Sequence, residues 1–168
     1  MRAPALGLAV AVLLIPALAG AQSDVWTARR LPWRMLPQRE LVGSAPTSLE
    51  TPGVVDECGA VSERIDLFAA RGPVVLRVRL RMESGAVSLS VRDEAAKAIL
   101  SKLKIVKEGE GEQTVYVRLE PRMGPRVLAL CNPGQTASGG RTDLLSVDAA
   151  HAEDLPADEA AKVNLGSL

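Results

Sequence analysis

The chain has 168 residues and carries 20 basic and 20 acidic side chains, so it is close to neutral at pH 7. This length suits one domain with a modest core. The absence of a net positive charge argues against general nucleic-acid binding. Only two Trp, one Tyr and one Phe occur, which argues against the aromatic platforms common in sugar and nucleobase sites.

The first 21 residues have the pattern of a secretory signal peptide. Arg2 is followed by an apolar run over residues 3–18, and residues 19–21 then present small side chains at the expected cleavage position. The run is short for a membrane helix, which needs roughly 20 apolar residues, so an uncleaved anchor is the less favoured alternative. We expect an exported protein, periplasmic or secreted, that begins at Gln22 and has no transmembrane segment once the leader is removed.

Residues 22–52 contain four prolines with serines and threonines between them, so we expect an extended, basic lead-in and no long helix. Both tryptophans, Trp26 and Trp33, lie here among several arginines. A basic and aromatic stretch of this kind could touch a membrane surface or a partner. The alternative is that the Trp side chains pack onto the domain while the arginines face water.

The strand signal is strongest over residues 74–92, where apolar and polar side chains alternate as in a half-buried strand. Pairing the two halves of this stretch about Ser84 and Gly85 puts every apolar residue on one face, so we predict a hairpin in that register. Its outer face is the predicted arginine face, which consists of Arg77, Arg79, Arg81 and Arg92, with Ser88 and Ser90 opposite two of them. This face is either a patch that binds an anion or an acidic partner, or a charged solvent face neutralised by acids on neighbouring strands.

Further strands are predicted at residues 99–106 and 114–119, where apolar and polar side chains again alternate, and at residues 126–131 and 142–149. Seven or eight short strands joined by polar links predict an all-β fold, an antiparallel β-sandwich or jelly roll, over residues 53–150. Residues 151–168 are rich in acids, and we expect them to form a disordered acidic tail.

Cys58 and Cys131 are the only two cysteines, and an exported protein allows them to pair. We predict a disulfide between the entrance of the domain and its closing strands, worth roughly 4 kcal/mol in the chain-entropy model. Two buried thiols are the first alternative. A catalytic Cys131 acting with His151 is the second.

Catalysis finds little support in the residue pattern. The single histidine, His151, lies at the edge of the predicted tail, which disfavours a histidine metal site or a Ser-His-Asp relay. Adjacent carboxylates such as Asp93 and Glu94 fit a solvated turn better than a glycosidase pair, which needs a cleft. We expect no enzymatic activity, no cofactor and no metal.

The stretches VVLRVRLRMESGAVSLSVRD, QTVYVRLEP and RVLALCNPGQTASGGRTDLLSVDA together resemble galactose-binding-domain-like jelly rolls. The resemblance covers about residues 61–149 and implies a binding or accessory domain, often for carbohydrate. No ligand-binding residue of that family can be matched to a position in this chain.

We therefore expect a non-catalytic binding or accessory module of the cell envelope or extracellular space. A carbohydrate-binding jelly roll is the alternative, and a hydrolase with an unrecognised site is the third hypothesis. The expected partner is an acidic protein or glycan on the predicted arginine face, whereas an exposed Tyr116 beside the polar loop after Cys131 would favour carbohydrate. The candidate binding residues are Arg77, Arg79, Arg81, Ser88, Ser90, Arg92, Tyr116, Asn132, Gln135 and Arg141.

Overall fold

The computed structural model describes residues 25–37, 40–66, 70–121, 124–134 and 139–165. The predicted leader, residues 1–21, lies outside these ranges. Within them the chain forms eleven strands, a 3-10 turn at Ala152–Asp154 and one helix, α1 (Ala157–Leu165). The strands are β1 (Thr27–Ala28), β2 (Trp33–Met35), β3 (Glu40–Gly43), β4 (Thr47–Thr51), β5 (Cys58–Ser62), β6 (Val74–Ser84), β7 (Ala86–Asp93), β8 (Ile99–Lys107), β9 (Glu112–Leu119), β10 (Arg126–Cys131) and β11 (Gly140–His151).

The strands form two antiparallel sheets. Sheet A contains β9, β6 and β11 in that order, with β1 and β4 both pairing with β11. Sheet B has the order β3-β2-β5-β10-β7-β8. Eight strands pair in a nested order, β4 with β11, β5 with β10, β6 with β9 and β7 with β8. Nested pairing across two packed sheets is the jelly-roll topology, so the predicted fold class is confirmed.

One apolar core lies between the two sheets. The alternating residues of β6 and β7 supply much of it, because Val78 and Leu80 of β6 and Leu89 of β7 are almost completely buried. Sheet B adds Leu128 and Leu130 from β10. The period-two pattern therefore predicted correctly which side chains of β6 and β7 face inward.

The predicted hairpin is wrong. β6 pairs with β9 and β11 in sheet A, whereas β7 pairs with β8 and β10 in sheet B. The chain changes sheets at Gly85, which has φ 72°, and a Cβ there would lie 2.5 Å from the carbonyl oxygen of Gly139. Glycine is required at this corner because other residues avoid positive φ and would meet that backbone atom. Alternation shows which face of a strand is buried, and in a sandwich both inner faces are apolar.

The lead-in is part of the domain. Its β1 and β4 extend sheet A, and β2 and β3 extend sheet B, so the predicted boundary at residue 53 is wrong. Trp33 is 0 % exposed in the core, and Trp26 is buried on the outer face of sheet A. Of the two alternatives for this stretch, packing of the Trp side chains onto the domain is confirmed.

The predicted disorder of the acidic tail is also wrong for its described part, residues 151–165. Helix α1 lies on the outer face of sheet A, where Val163 is 3 % exposed and packs with Trp26, Val75 and Ala150. A few apolar side chains spaced among acids are enough to dock a short helix when a sheet already offers an apolar patch. This helix is far too short to cross a membrane, and no described helix is long and apolar enough to do so.

Candidate functional site

Three of the predicted arginines, Arg77, Arg79 and Arg81, share the outer face of sheet A, and we call them the arginine row. They project from β6 between the acids of β9 and β11. The ion pairs are Arg77 with Asp148 at 3.2 Å, Arg79 with Glu112 at 2.6 Å and Arg81 with Asp143 at 3.0 Å. Each cation is thus matched by a carboxylate from a neighbouring strand, as expected for a charged solvent face.

The two ends of the arginine row differ in burial. Arg77 is largely covered. Helix α1 places Glu159 3.8 Å from the Arg77 guanidinium, which also stacks 4.4 Å from the centre of the Trp26 ring. Arg81 is half exposed and has a second ion pair with Glu83 at 3.2 Å. The row therefore runs from a packed end under the helix to a solvated end.

Asp143 anchors the solvated end through two donors. The Ser48 hydroxyl and then the Arg81 guanidinium hold the pKa of Asp143 below its ordinary value, because both stabilise the carboxylate. Asp143 in turn raises the pKa of Arg81, which stays charged at any physiological pH. Ser48, Asp143 and Arg81 link β4, β11 and β6 across the face of sheet A.

The fourth predicted arginine lies elsewhere, which corrects the predicted convergence of four arginines. Arg92 projects from β7 onto the outer face of sheet B, on the opposite side of the sandwich, together with Ser88 and Ser90. It is 8 % exposed. Its Nε contacts Ser90 Oγ at 3.3 Å and its Nη2 contacts Cys131 Sγ at 3.2 Å.

The other predicted binding residues are not brought together. Tyr116 packs against Trp26 with ring centroids 6.0 Å apart and pairs with Arg77, seven residues along β6 from the partner of Arg141. At about 3.3 Å per strand residue, Tyr116 lies roughly 23 Å from Arg141. Tyr116 is therefore not beside the polar loop, as a carbohydrate site there would require.

That polar loop is only partly described, and Gln135 lies outside the described residues. Asn132 is completely buried, and its Nδ2 donates to the Pro52 carbonyl oxygen at 2.9 Å while its Oδ1 accepts from the backbone N–H of Gly134. These bonds fasten the loop after β10 to the loop before β5. The role of Asn132 shown here is structural.

The disulfide is present between Cys58 and Cys131, as predicted. The two residues are directly paired on the neighbouring strands β5 and β10, with their Cα atoms 3.8 Å apart. The sulfurs lie on the outer face of sheet B beside Val61 and Ala129. The bridge therefore closes one of the nested strand pairs of the jelly roll.

A cleft opens at the end of the sandwich where β6 begins, and we call it the end cleft. Its volume is about 100 Å³. Its lining residues are Arg29, Arg30, Leu31, Pro32, Glu63, Arg64, Ile65, Val74 and Leu76. The floor is apolar, since Leu31, Ile65 and Leu76 are each less than 7 % exposed.

The rim of the end cleft carries charge that its own surroundings do not neutralise. Arg64 pairs with Asp66 at 2.9 Å and with Glu94 at 3.0 Å, and these acids raise its pKa. Arg29 and Arg30, in contrast, are exposed, and within the described ranges neither side chain makes an ion pair. The end cleft is therefore lined by an apolar floor and by two exposed arginines that make no ion pair among the described residues.

The basic stretch that contains Arg29 and Arg30 is visible in the sequence, but the end cleft is not. The cleft joins that stretch to residues 63–65 and to the start of β6, which are far apart in the chain. A hydrogen bond from the Glu63 N–H to the Pro32 carbonyl oxygen joins two of these segments, and an isolated bridge fixes Ile65 to Arg126 at the start of β10. No local sequence pattern encodes such contacts.

Among the described residues no group of three His, Cys, Asp or Glu side chains is placed to hold a metal ion. Comparisons with protein-family models and with curated protein sequences gave no match. The solved structures that match this chain include two that contain carbohydrate-binding modules.

The first is the N-terminal endo-1,4-beta-D-xylanase 10B of Clostridium thermocellum, its CBM22-1 and GH10 modules complexed with xylohexaose. It is 12 % identical with a TM-score of 0.45, over 77 % of this chain and 29 % of that one. The chain thus spans less than a third of that protein. The second is CsCBM6-3 from Clostridium stercorarium in complex with cellobiose, 14 % identical with a TM-score of 0.34, over 76 % and 86 % of the two chains. Both scores are low, so neither likeness assigns a ligand to this chain.

Proposed function

We propose that this protein is an exported, non-catalytic binding module whose end cleft takes an acidic segment of a protein partner. The observation that carries the proposal is the pairing of an apolar floor with Arg29 and Arg30, two exposed cations that lack ion-pair partners among the described residues. The arginine row has no such unpaired cation, because each of its guanidinium groups is already paired with a carboxylate. Export is supported by the leader pattern and by the disulfide, which persists in oxidising compartments.

The chemistry of the end cleft favours a ligand that carries both an alkyl group and a carboxylate. A glutamate side chain has this form, since its methylenes can cover Leu31, Ile65 and Leu76 while its carboxylate reaches the guanidinium groups. We therefore expect one anchored acidic residue, with neighbouring acids attracted by the field of the rim.

A neutral sugar would need a different surface. Polysaccharide sites commonly stack sugar rings on aromatic side chains, and of the described aromatic residues Trp26 and Trp33 are buried while Tyr116 packs against Trp26. The carbohydrate alternative stays a prediction, and the same binding experiment tests it. An acidic glycan would be attracted to the rim but would not need the apolar floor.

The test measures binding of the full-length protein, recovered from the exported fraction, to a hexaglutamate peptide, to a galacturonic acid hexamer and to xylohexaose by calorimetry. We expect hexaglutamate to bind best, with an affinity that falls as salt rises. The Arg29→Gln/Arg30→Gln variant should bind about tenfold more weakly, since each partly exposed charge contact is worth on the order of 0.5–1 kcal/mol. The recovered protein should begin at Gln22, which checks the leader.

The matched control is the Arg79→Gln/Arg81→Gln variant, which removes the same charge from the arginine row. Its affinity for hexaglutamate should be nearly unchanged. Equal weakening in both variants would show that only the overall charge matters and would overturn the end cleft as the site. Stronger binding of xylohexaose than of hexaglutamate would overturn the acidic partner in favour of a carbohydrate-binding module.

A further inference from the structure

Arg92 is a buried cation without a carboxylate. A guanidinium removed from water normally pairs with an acid, because an uncompensated charge is costly in a low-dielectric setting. In the described part of the chain no acid contacts Arg92, although it is only 8 % exposed. Its contacts are Ser90 Oγ at 3.3 Å, the Ala96 carbonyl oxygen at 3.3 Å and Cys131 Sγ at 3.2 Å. Of these three groups, the sulfur is the one that readily becomes an anion.

The two sulfurs of the disulfide differ in accessibility. Cys131 is 2 % exposed, whereas Cys58 is partly exposed and follows residues 53–57, all of which are exposed. In thiol–disulfide exchange a thiolate attacks one sulfur and the other sulfur leaves with the electron pair of the broken bond. A small thiol that approaches from solvent therefore reaches Cys58 and expels Cys131.

We propose that Cys58 is a modification site for a small-molecule thiol, with Arg92 stabilising Cys131 as the leaving thiolate. The incoming thiol gives its proton to solvent, and its sulfur forms a new bond to Cys58 Sγ. The Cys58–Cys131 bond breaks, and its electron pair stays on Cys131 Sγ, which then faces the Arg92 guanidinium. One disulfide replaces another, so the step needs no oxidant or reductant besides the thiol itself.

The surroundings of Cys131 suit a thiolate better than they suit a neutral sulfur. Arg92 Nη2 already donates to this atom, and Ser90 Oγ lies 3.9 Å from it and can turn its hydroxyl toward a negative charge. A neighbouring cation lowers the pKa of a cysteine thiol, and a leaving group of lower pKa departs faster. The charge of Arg92, uncompensated in the oxidised protein, is thus compensated when the bond opens.

A purely structural role for Arg92 makes the opposite prediction. Arg92 Nη1 donates to the carbonyl of Ala96, a non-glycine residue with φ 60°, and so supports the turn between β7 and β8. If that support were its whole role, replacing Arg92 would loosen the strands around the disulfide and speed its reduction. Stabilisation of a leaving thiolate predicts slower reduction.

The experiment treats the oxidised full-length protein with reduced glutathione under native conditions, stops the reaction with acid and maps the adduct by mass spectrometry. We expect glutathione on Cys58 and a free thiol on Cys131. Arg92→Met should slow formation of the adduct several-fold, since the leaving thiolate on Cys131 loses the guanidinium that contacts it. Arg92→Lys, which keeps the charge, should retain part of the rate.

The matched control is Arg79→Met, which removes an arginine from the other outer face and should leave the rate unchanged. An adduct that forms first on Cys131, or an Arg92→Met rate equal to or faster than that of the parent protein, would overturn the proposal. If Arg92→Met does not fold, the position of the adduct in the parent protein and the rate of Arg92→Lys still decide it.

Discussion

Arginine side chains have opposite surroundings on the two outer faces of the sandwich. On sheet A, Arg77, Arg79 and Arg81 stand in a row, and each is matched by a carboxylate on an adjacent strand. On sheet B, Arg92 is isolated and more deeply buried, and it contacts a disulfide sulfur where a carboxylate would be expected. An arginine in an alternating sequence is therefore not shown by that pattern to be free to bind a ligand, because the neighbouring strands decide whether its charge is neutralised.

This difference follows from which strands are neighbours. β6 lies between β9 and β11, which bring Glu112, Asp143 and Asp148 to its outer face. β7 lies between β8 and β10, and β10 contributes Val127, Ala129 and Cys131 to the outer face of sheet B. The same alternation of apolar and basic residues thus gives a neutralised surface in one sheet and a buried cation in the other.

Removing the disulfide should have the largest effect on stability and would test sheet B most directly. The Cys58→Ala/Cys131→Ala variant frees a loop of 73 residues in the unfolded chain and deprives Arg92 of its sulfur contact. We expect the free energy of unfolding to fall by about 4 kcal/mol in the chain-entropy model, measured by urea denaturation. A loss smaller than about 1 kcal/mol would contradict a stabilising role for the bridge.

The packed end of the arginine row should show the next largest effect. Arg77→Met removes the ion pairs with Asp148 and Glu159 and the stacking on Trp26, and it leaves two partly buried carboxylates without a cation. We expect a loss of about 2 kcal/mol, accompanied by weaker docking of α1. Urea denaturation measures the loss of stability, and circular dichroism measures the change in helix α1.

Arg79→Met is the control for that prediction, because its ion pair with Glu112 is about four-tenths exposed. Exposed pairs contribute little, so its unfolding free energy should change by less than about 1 kcal/mol. Equal losses in the two variants would show that the row is energetically uniform and that α1 adds nothing at Arg77.

Local patterns predicted the pairing of strands poorly and the burial of side chains well, except in β8, where Ile105 is 42 % exposed. Alternation identified the inner residues of β6, β7 and β9, since the period of two reflects the geometry of a single strand. The hairpin about Gly85 failed because the same alternation fits strands that face each other across a core. The disulfide was predictable because the predicted export and the count of two cysteines leave few alternatives.

The functional features were harder to predict because contacts between distant segments create them. Arg92 reads in the sequence as one more outward-facing arginine, and only the pairing of β7 with β10 places it against Cys131. The end cleft needs Arg29 and Arg30 to meet Ile65 and Leu76. Likewise, the docking of α1 depends on an apolar patch that Trp26 and Val75 form only after sheet A has assembled.

The smallest effect is expected at the solvated end of the arginine row, where Asp143 accepts hydrogen bonds from Ser48 and Arg81. These donors lower the pKa of Asp143 in the folded protein below the ordinary value of 3.8. A carboxylate with a lowered folded-state pKa stabilises the fold above its unfolded-state pKa, and this contribution is lost as the pH falls through the folded-state value. The stability at neutral pH should therefore include a small contribution that disappears in acid, below about pH 4.

Ser48→Ala and Arg81→Gln should each raise the pKa of Asp143 toward its ordinary value, because each removes a donor to this carboxylate. Carboxyl chemical shifts followed by NMR through an acid titration measure both changes. Arg79→Gln serves as the control, since Arg79 pairs with Glu112 and has no recorded contact with Asp143 among the described residues. The melting temperature at neutral pH should change by less than about 2 °C in each variant, since Arg81 is half exposed and solvent screens its ion pair. Asp143 titrating at or above its ordinary pKa in the parent protein would show that the solvated end of the row is not held together by these bonds.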